Sequence, residues 1–131
     1  MPRIFKANEI RILTDNKVGT LARVTAPIAE ARVNINACNC RAVGDKAEFF
    51  FITDDNPKAI ENLTRAGLPS SEREVIVVET ANEAGTLFRA AQQLSQAGVD
   101  LDSCYSTAGS QGNTWVVFAT KTVEKAMNVI P

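Results

Sequence analysis

Apolar and polar side chains alternate through Glu9-Ile10-Arg11-Ile12-Leu13-Thr14, the period of a strand with one buried face. Asp15-Asn16 then supplies a turn and a helix cap. Beyond it the period lengthens: Leu21, Val24, Ile28 and Ala31 fall three and four apart, so a helix from about Val18 to Ala31 carries one apolar stripe. Pro27 removes a backbone hydrogen bond inside that helix and should bend it. Val33 to Val43 reads as a second strand, Gly44-Asp45 as a turn, and Glu48-Phe49-Phe50-Phe51-Ile52-Thr53 as a third strand. Asp55-Asn56-Pro57 caps a helix from Lys58 to Ala66, which stops at Gly67 and Pro69. Both faces of the third strand are apolar, which places it centrally in a sheet. Its second face needs cover beyond the unit's own helices, and the expectation is that another subunit supplies it.

The pattern then starts again. Asn16-Lys17-Val18-Gly19-Thr20-Leu21-Ala22-Arg23 returns as Asn82-Glu83-Ala84-Gly85-Thr86-Leu87-Phe88-Arg89, an offset of 66 residues. At that offset, read without a gap to the C-terminus, Ile10 meets Ile76, Cys38 meets Cys104 and Asn62 meets Asn128. The chain is a tandem repeat. The second copy supplies a helix striped by Leu87, Ala90, Leu94 and Ala97, a strand from Val99 to Ala108, and a looser turn at Gly109-Ser110-Gln111-Gly112-Asn113. A strand at Trp115 to Ala119 follows, and Thr122 caps a last helix carrying Val123, Ala126, Met127 and Ile130.

Each copy therefore reads strand, helix, strand, strand, helix, strand: the α+β, ferredoxin-like arrangement of an antiparallel sheet with two helices on one face. The repeat predicts one unit over residues 1–69 and a second over 70–131. At about 60 residues each lies near the lower size limit for an independent core, so the two should share structure. Ser70 to Ala81 is one extended run that must end the first copy and begin the second. The second copy lacks a last strand of its own, and the leader Ile4 to Asn8 is the expected replacement, with Ile4 to Thr14 antiparallel to Ser70 to Thr80.

Charge narrows the possible functions. The 14 basic and 15 acidic side chains are interspersed and sum to −1, so no nucleic-acid-binding face is expected. No apolar run spans a membrane and no signal peptide is evident, so the expected location is cytoplasmic. There is no histidine, which excludes histidine-based triads and imidazole bases. The three cysteines lack zinc spacing. Cys38 and Cys104 are expected as small core residues, and Cys40, opposite Ser106, as incidental. No catalytic residue, metal or cofactor is expected.

The best-preserved segment is the strand-to-helix turn. Gly19 and Gly85 permit positive φ or close approach of another group, and the helix beginning beside each offers unpaired N–H groups that suit a carboxylate. Asn16 and Asn82, three residues earlier, can cap the helix or reach a ligand. Asn34 and Asn36 enter the second strand of the first copy, and Asp100 and Asp102 that of the second. The alternative reading makes all of these turn formers and solvated strand entry; their recurrence together at the same spacing favours a site.

These segments, Asp15 to Leu21 with Arg32-Val33-Asn34-Ile35-Asn36 and Ala81 to Leu87 with Gly98-Val99-Asp100-Leu101-Asp102, resemble a tandem pair of ACT domains, regulatory modules that sense amino acids. In the regulatory domain of phosphoglycerate dehydrogenase, which they resemble, an asparagine in the turn and one entering the second strand hold serine across a domain interface. The resemblance implies those roles for Asn16 and Asn34, and for Asn82 and Asp100. It implies ligand contacts from Lys17, Val18, Gly19, Thr20, Leu21, Ile35 and Asn36 in the first copy, and from Glu83, Ala84, Gly85, Thr86, Leu87 and Leu101 in the second. Val18 and Ala84 replace the family's usual proline before the glycine. Asp100, an anion where the first copy has Asn34, should make the two sites unequal.

The expected function is that of a non-enzymatic regulatory protein in which a free amino acid bridges ACT units, with a homodimeric assembly and a separate regulated protein. The alternative is an interaction subunit that binds no metabolite. Acylphosphatase-like catalysis on the same topology is disfavoured, since the turn offers Lys17 and Glu83 where such a site requires arginine.

Overall fold

The computed structural model describes residues 3–108 and 111–129, so Gly109, Ser110 and Ile130 of the expected second hairpin and last helix lie outside it. Ten elements follow in order: β1 (Arg3–Asp15), α1 (Thr20–Glu30), β2 (Ile35–Val43), β3 (Lys46–Thr53), α2 (Asn56–Arg65), β4 (Ser70–Ala81), α3 (Thr86–Gln96), β5 (Ser103–Ala108), β6 (Asn113–Ala119) and α4 (Val123–Met127). The sheet runs β2-β3-β1-β4-β6-β5. Two compact units emerge, Asn8–Arg73 and Met1–Ala7 with Glu74–Pro131, so β1 and β4 each contribute to both.

In the Asn8–Arg73 unit β3 pairs antiparallel with β1 and with β2. The period-two pattern puts Ile10, Ile12, Phe49 and Phe51 on one face, where they pack against Val24 and Ile28 of α1 and Ala59 and Leu63 of α2. Asp55 caps α2 by accepting from the Lys58 N–H at 3.2 Å, with Pro57 in the first turn. Asn62 ties α2 to α1 by donating to the Pro27 carbonyl at 3.0 Å. α1 ends with the Arg32 N–H on the Ala29 carbonyl and the Val33 N–H on that of Ile28, a Schellman closure that needs a left-handed residue. Arg32 fills it at φ 59, where the second copy has Gly98 at φ 72.

The other unit repeats the plan. β6 pairs antiparallel with β4 and β5, and Ile76, Val78, Val116 and Phe118 pack under Ala90 and Leu94 of α3 and Ala126 of α4. Ile4 packs against this same cluster. Phe5 meets Trp115 edge-on with ring centroids 5.4 Å apart, and Arg3 donates to Glu79 at 2.8 and 3.0 Å. Lys6 pairs with Glu124.

The register corrects the gap-free repeat. Ile10 pairs with Phe51 but Ile76 with Phe118, and Ala42 pairs with Ala47 but Ala108 with Thr114. The offset is therefore 66 up to the hairpin and 67 beyond it, one residue having been added in the second hairpin turn. Phe49 corresponds to Val116 and Glu48 to Trp115. The match of Asn62 with Asn128 is coincidental, since the structural counterpart of Asn62 is Val129.

Four local expectations also change. The apolar second face of β3 needs no other subunit, because Phe50 and Ile52 are each only 5% exposed within the chain itself. Cys38 and Cys104 are exposed rather than core: they face the same side as Phe51 and Phe118, but on edge strands where helix cover has run out. Asn16 does not cap α1, whose N-cap is Gly19 with no side-chain bond. Thr122 occupies the N-cap of α4 without capping it; its own N–H is held instead by Thr120 Oγ1 at 3.2 Å.

Candidate functional site

The β1–α1 turn is locked by a residue whose part is not evident from composition. The Thr20 hydroxyl accepts from the Lys17 N–H at 3.0 Å and donates to the Lys17 carbonyl at 2.8 Å, while the Thr20 N–H donates to that carbonyl at 3.1 Å. The Asn16 N–H reaches across to the Asp45 carbonyl at 2.9 Å. Held at both ends, the turn places Gly19 at φ 89, a conformation that only glycine adopts without strain. A Cβ built on Gly19 would meet nothing within 4 Å. Among the described residues, no hydrogen bond of the protein engages the amides of Gly19, Leu21 or Ala22, as expected for a helix N-terminus without a side-chain cap. Thr20 is buried and its amide spent; the open donors flank it.

Two cavities adjoin this turn. One, of about 370 Å³, is lined by Asn16, Lys17, Gly19, Thr20 and Leu21 together with Cys40, Arg41, Ala42, Ala47 and Phe49 of the β2–β3 hairpin. The other, of about 460 Å³, brings Val18, Gly19 and Lys17 beside Thr14, Asp15 and Arg23. Arg23 Nη2 donates to Thr14 Oγ1 at 2.9 Å. Lys46 donates to Asp15 at 2.6 Å, and that hydrogen bond and charge hold the Asp15 carboxyl below its ordinary range. With Asp15 matched by Lys46, the rim is left cationic through Lys17 and Arg23. Arg41 is directed elsewhere: its guanidinium bonds Glu48 at 3.1 Å, on the sheet face opposite the helices.

Asn34, Ile35 and Asn36 are not brought to this turn. The Asn34 N–H donates to Asp54 Oδ1 at 3.0 Å and its side chain to Asn36 Oδ1 at 2.7 Å. Asn34 and Ile35 line a separate cavity of about 350 Å³ with Ala22, Ala26 and Ala29. α1 has 11 residues, so its two ends lie about 16 Å apart. No free amino acid spans that distance within one unit, and a ligand touching both groups would have to bridge two units.

The second turn is built on the same backbone with different chemistry. Gly85 has φ 88, and the Thr86 hydroxyl donates to the Glu83 carbonyl at 2.9 Å. The Asn82 N–H donates to the Gly112 carbonyl at 3.1 Å, and Ala84 and Leu87 are exposed. A Cβ on Gly85 would lie 3.2 Å from Arg89 Nη1: this guanidinium leans over its own turn, whereas Arg23 is drawn aside by Thr14. Glu83 stands where the first copy has Lys17. At the strand entry the Leu101 N–H donates to Asp100 Oδ1 at 3.1 Å and Thr120 Oγ1 donates to the Asp100 carbonyl at 2.6 Å. Among the described residues no group of three or more Cys, Asp or Glu side chains is placed to hold a metal ion, and no helix is long and apolar enough to cross a membrane.

This doubled turn on two ferredoxin-like units has known relatives. The sequence matches the ACT domain pair family over residues 5–131. The chain belongs to that family. Protein BT0572 of Bacteroides thetaiotaomicron is similar to this ACT pair at 25% identity and a TM-score of 0.87, over 96% of this chain and 87% of that one. The ligand-free regulatory subunit of aspartate kinase from Thermus thermophilus shares the fold at 14% identity and a TM-score of 0.70, over 98% and 93%. The corresponding subunit from Thermus flavus does so at 16% and 0.60, over 98% and 93%. No curated protein matches the sequence. ACT domains are regulatory modules, and the two Thermus structures are regulatory subunits.

The walls of the first cavity are the part that sequence reasoning missed. Cys40, Ala42, Ala47 and Phe49 face the turn only through the β2–β3 register. The recurring Gly-Thr pair was the available signal for the lock.

Proposed function

We propose that this ACT pair is a non-enzymatic regulatory protein of the cytoplasm that binds a free amino acid and passes the signal to a separate protein. The observation that carries this reading is the Gly19 turn, whose unengaged amides and cationic rim adjoin an open cavity. The ligand's carboxylate lies against the Gly19 and Leu21 amides, favoured by the helix dipole and by Lys17. Asn16 contacts its polar atoms, and a second ACT unit, brought by a homodimer, supplies the strand-entry group that Asn34 cannot offer within its own unit. Membership of a regulatory family and the fold shared with regulatory subunits support the reading. Ligand and regulated partner then alter each other's affinity equally.

Screening thermal stability against the twenty amino acids tests this, because a ligand selective for the native state raises Tm. Gly19→Asp, which adds a carboxylate where the ligand's own must sit, should abolish the response while the fold persists; calorimetry showing unaltered binding in that variant removes the site. A second reading, an interaction subunit without a metabolite, draws on the exposed Val18, Leu21, Leu87 and Phe88 around the two turns. It predicts no selective response to any amino acid.

A further inference from the structure

We propose that the amino acid taken at the Gly19 turn carries an apolar side chain, lodged between Leu21, Cys40, Ala42, Ala47 and Phe49, and that the second turn takes none of this class. The inference rests on the amino-acid-binding reading above and adds the ligand's chemistry. The turn side of the 370 Å³ cavity is polar, with Asn16, Lys17 and the open Gly19 amide beside a Thr20 hydroxyl already engaged by Lys17, and the wall facing it consists of those five side chains. Phe49 and Ala47 form a fixed floor, since both belong to the buried core, while Leu21 and Ala42 stand exposed at its mouth. Arg41, whose backbone shares the rim, keeps its guanidinium on Glu48. A ligand hydroxyl or charge placed against the floor loses water and gains no partner, whereas each methylene placed there is favourable.

The second copy lacks this arrangement. By register Cys40, Ala42, Ala47 and Phe49 become Ser106, Ala108, Thr114 and Val116. The Thr114 hydroxyl stands in the position of the Ala47 methyl and donates to the Thr107 carbonyl at 2.8 Å. The Phe49 ring is replaced by a smaller group, Lys17 by Glu83, and Arg89 leans over Gly85. The repeat thus keeps the turn in both halves and the apolar wall in one.

Cys40 sits in that wall and is exposed, so it reports occupancy. The full-length protein is titrated with alanine, serine, aspartate, leucine and phenylalanine by calorimetry. Iodoacetamide labelling of each cysteine is then quantified by mass spectrometry, with Cys38 and Cys104 as internal references. Affinity should rise at least about tenfold from alanine to leucine or phenylalanine. At ligand ten times Kd the labelling of Cys40 should slow about tenfold, with Cys104 unchanged. Ala42→Phe, at an exposed strand position, fills the mouth and should lower the affinity for leucine and phenylalanine about tenfold; if that variant does not fold, protection of Cys40 in the unaltered protein decides. Preference for serine or aspartate, or apolar binding that leaves Cys40 as reactive as before, overturns this inference and leaves amino-acid binding standing. Absence of binding by all twenty amino acids overturns both.

Discussion

Phe5→Ala tests whether the leader belongs to the second unit. Ile4 packs on that unit's core and Phe5 meets Trp115 at 5.4 Å with ring planes 74° apart, while the Arg3 guanidinium lies 4.5 Å from the Phe5 centroid. Complete truncation of a buried phenylalanine costs about 3–5 kcal/mol. Phe5 is only half-buried, which halves that figure, and the lost edge-to-face contact accounts for roughly 0.5–1.5 kcal/mol of what remains. The expected loss is about 2 kcal/mol, or on the order of 10 °C in Tm for a chain of this size. Trp115 is the single tryptophan and reports on this unit alone, so urea titration followed by its fluorescence reads the effect directly. A midpoint that moves by less than the equivalent of about 0.5 kcal/mol would mean that the leader does not close the second unit, and the inference of exchanged strands would be withdrawn.

Two further substitutions address the first unit. Glu48 accepts from Arg11 at 2.7 and 2.8 Å and from Arg41 at 3.1 Å. Burial works to raise its pKa, but the hydrogen bonds from the two arginines outweigh it and hold the carboxyl below its ordinary value. Stability from this group is therefore present at neutral pH and lost as pH falls through the depressed value. Glu48→Gln should cost about 1–2 kcal/mol at pH 7, discounted because both arginines can rehydrate, and the difference from the parent protein in urea melts should shrink steadily below about pH 4; a difference that grows on acidification would reverse the assignment. Arg32→Gly relieves a left-handed residue at the end of α1 and should stabilise by up to about 1 kcal/mol. A lower Tm would show that the arginine side chain contributes more than its backbone strain costs.

Much of the fold was legible because local signals agreed with one another. The change of period from two to three-and-four at Leu21 and again at Leu87, and the Asp-Asn-Pro start of α2, each named an element that formed. The added residue in the second hairpin was not legible. Trp115-Val116-Val117-Phe118 is apolar at every position, so no alternation marks which face is buried, and a slip of one residue leaves no trace in composition. Asn62 and Asn128 then matched by chance. Cys38 and Cys104 misled for a related reason: an apolar pattern reports which face a residue takes, whereas cover depends on how far the helices extend over an edge strand. At the site, the turn was visible from the glycine and its doubling. The cavity wall was not, because Cys40, Ala42, Ala47 and Phe49 come together only through strand pairing. The burial of Phe50 and Ile52 within the chain also removes the apolar second face as the reason for a dimer, which leaves the bridging of turn and strand-entry groups as the remaining argument for one.

The amide spectrum of the 15N-labelled protein, recorded while an amino acid that raises Tm is added, bears most directly on the turn as a binding site. The Gly19, Leu21 and Ala22 resonances should shift saturably and together, with Gly85 unmoved. Saturable binding that leaves those three amides in place would contradict the account.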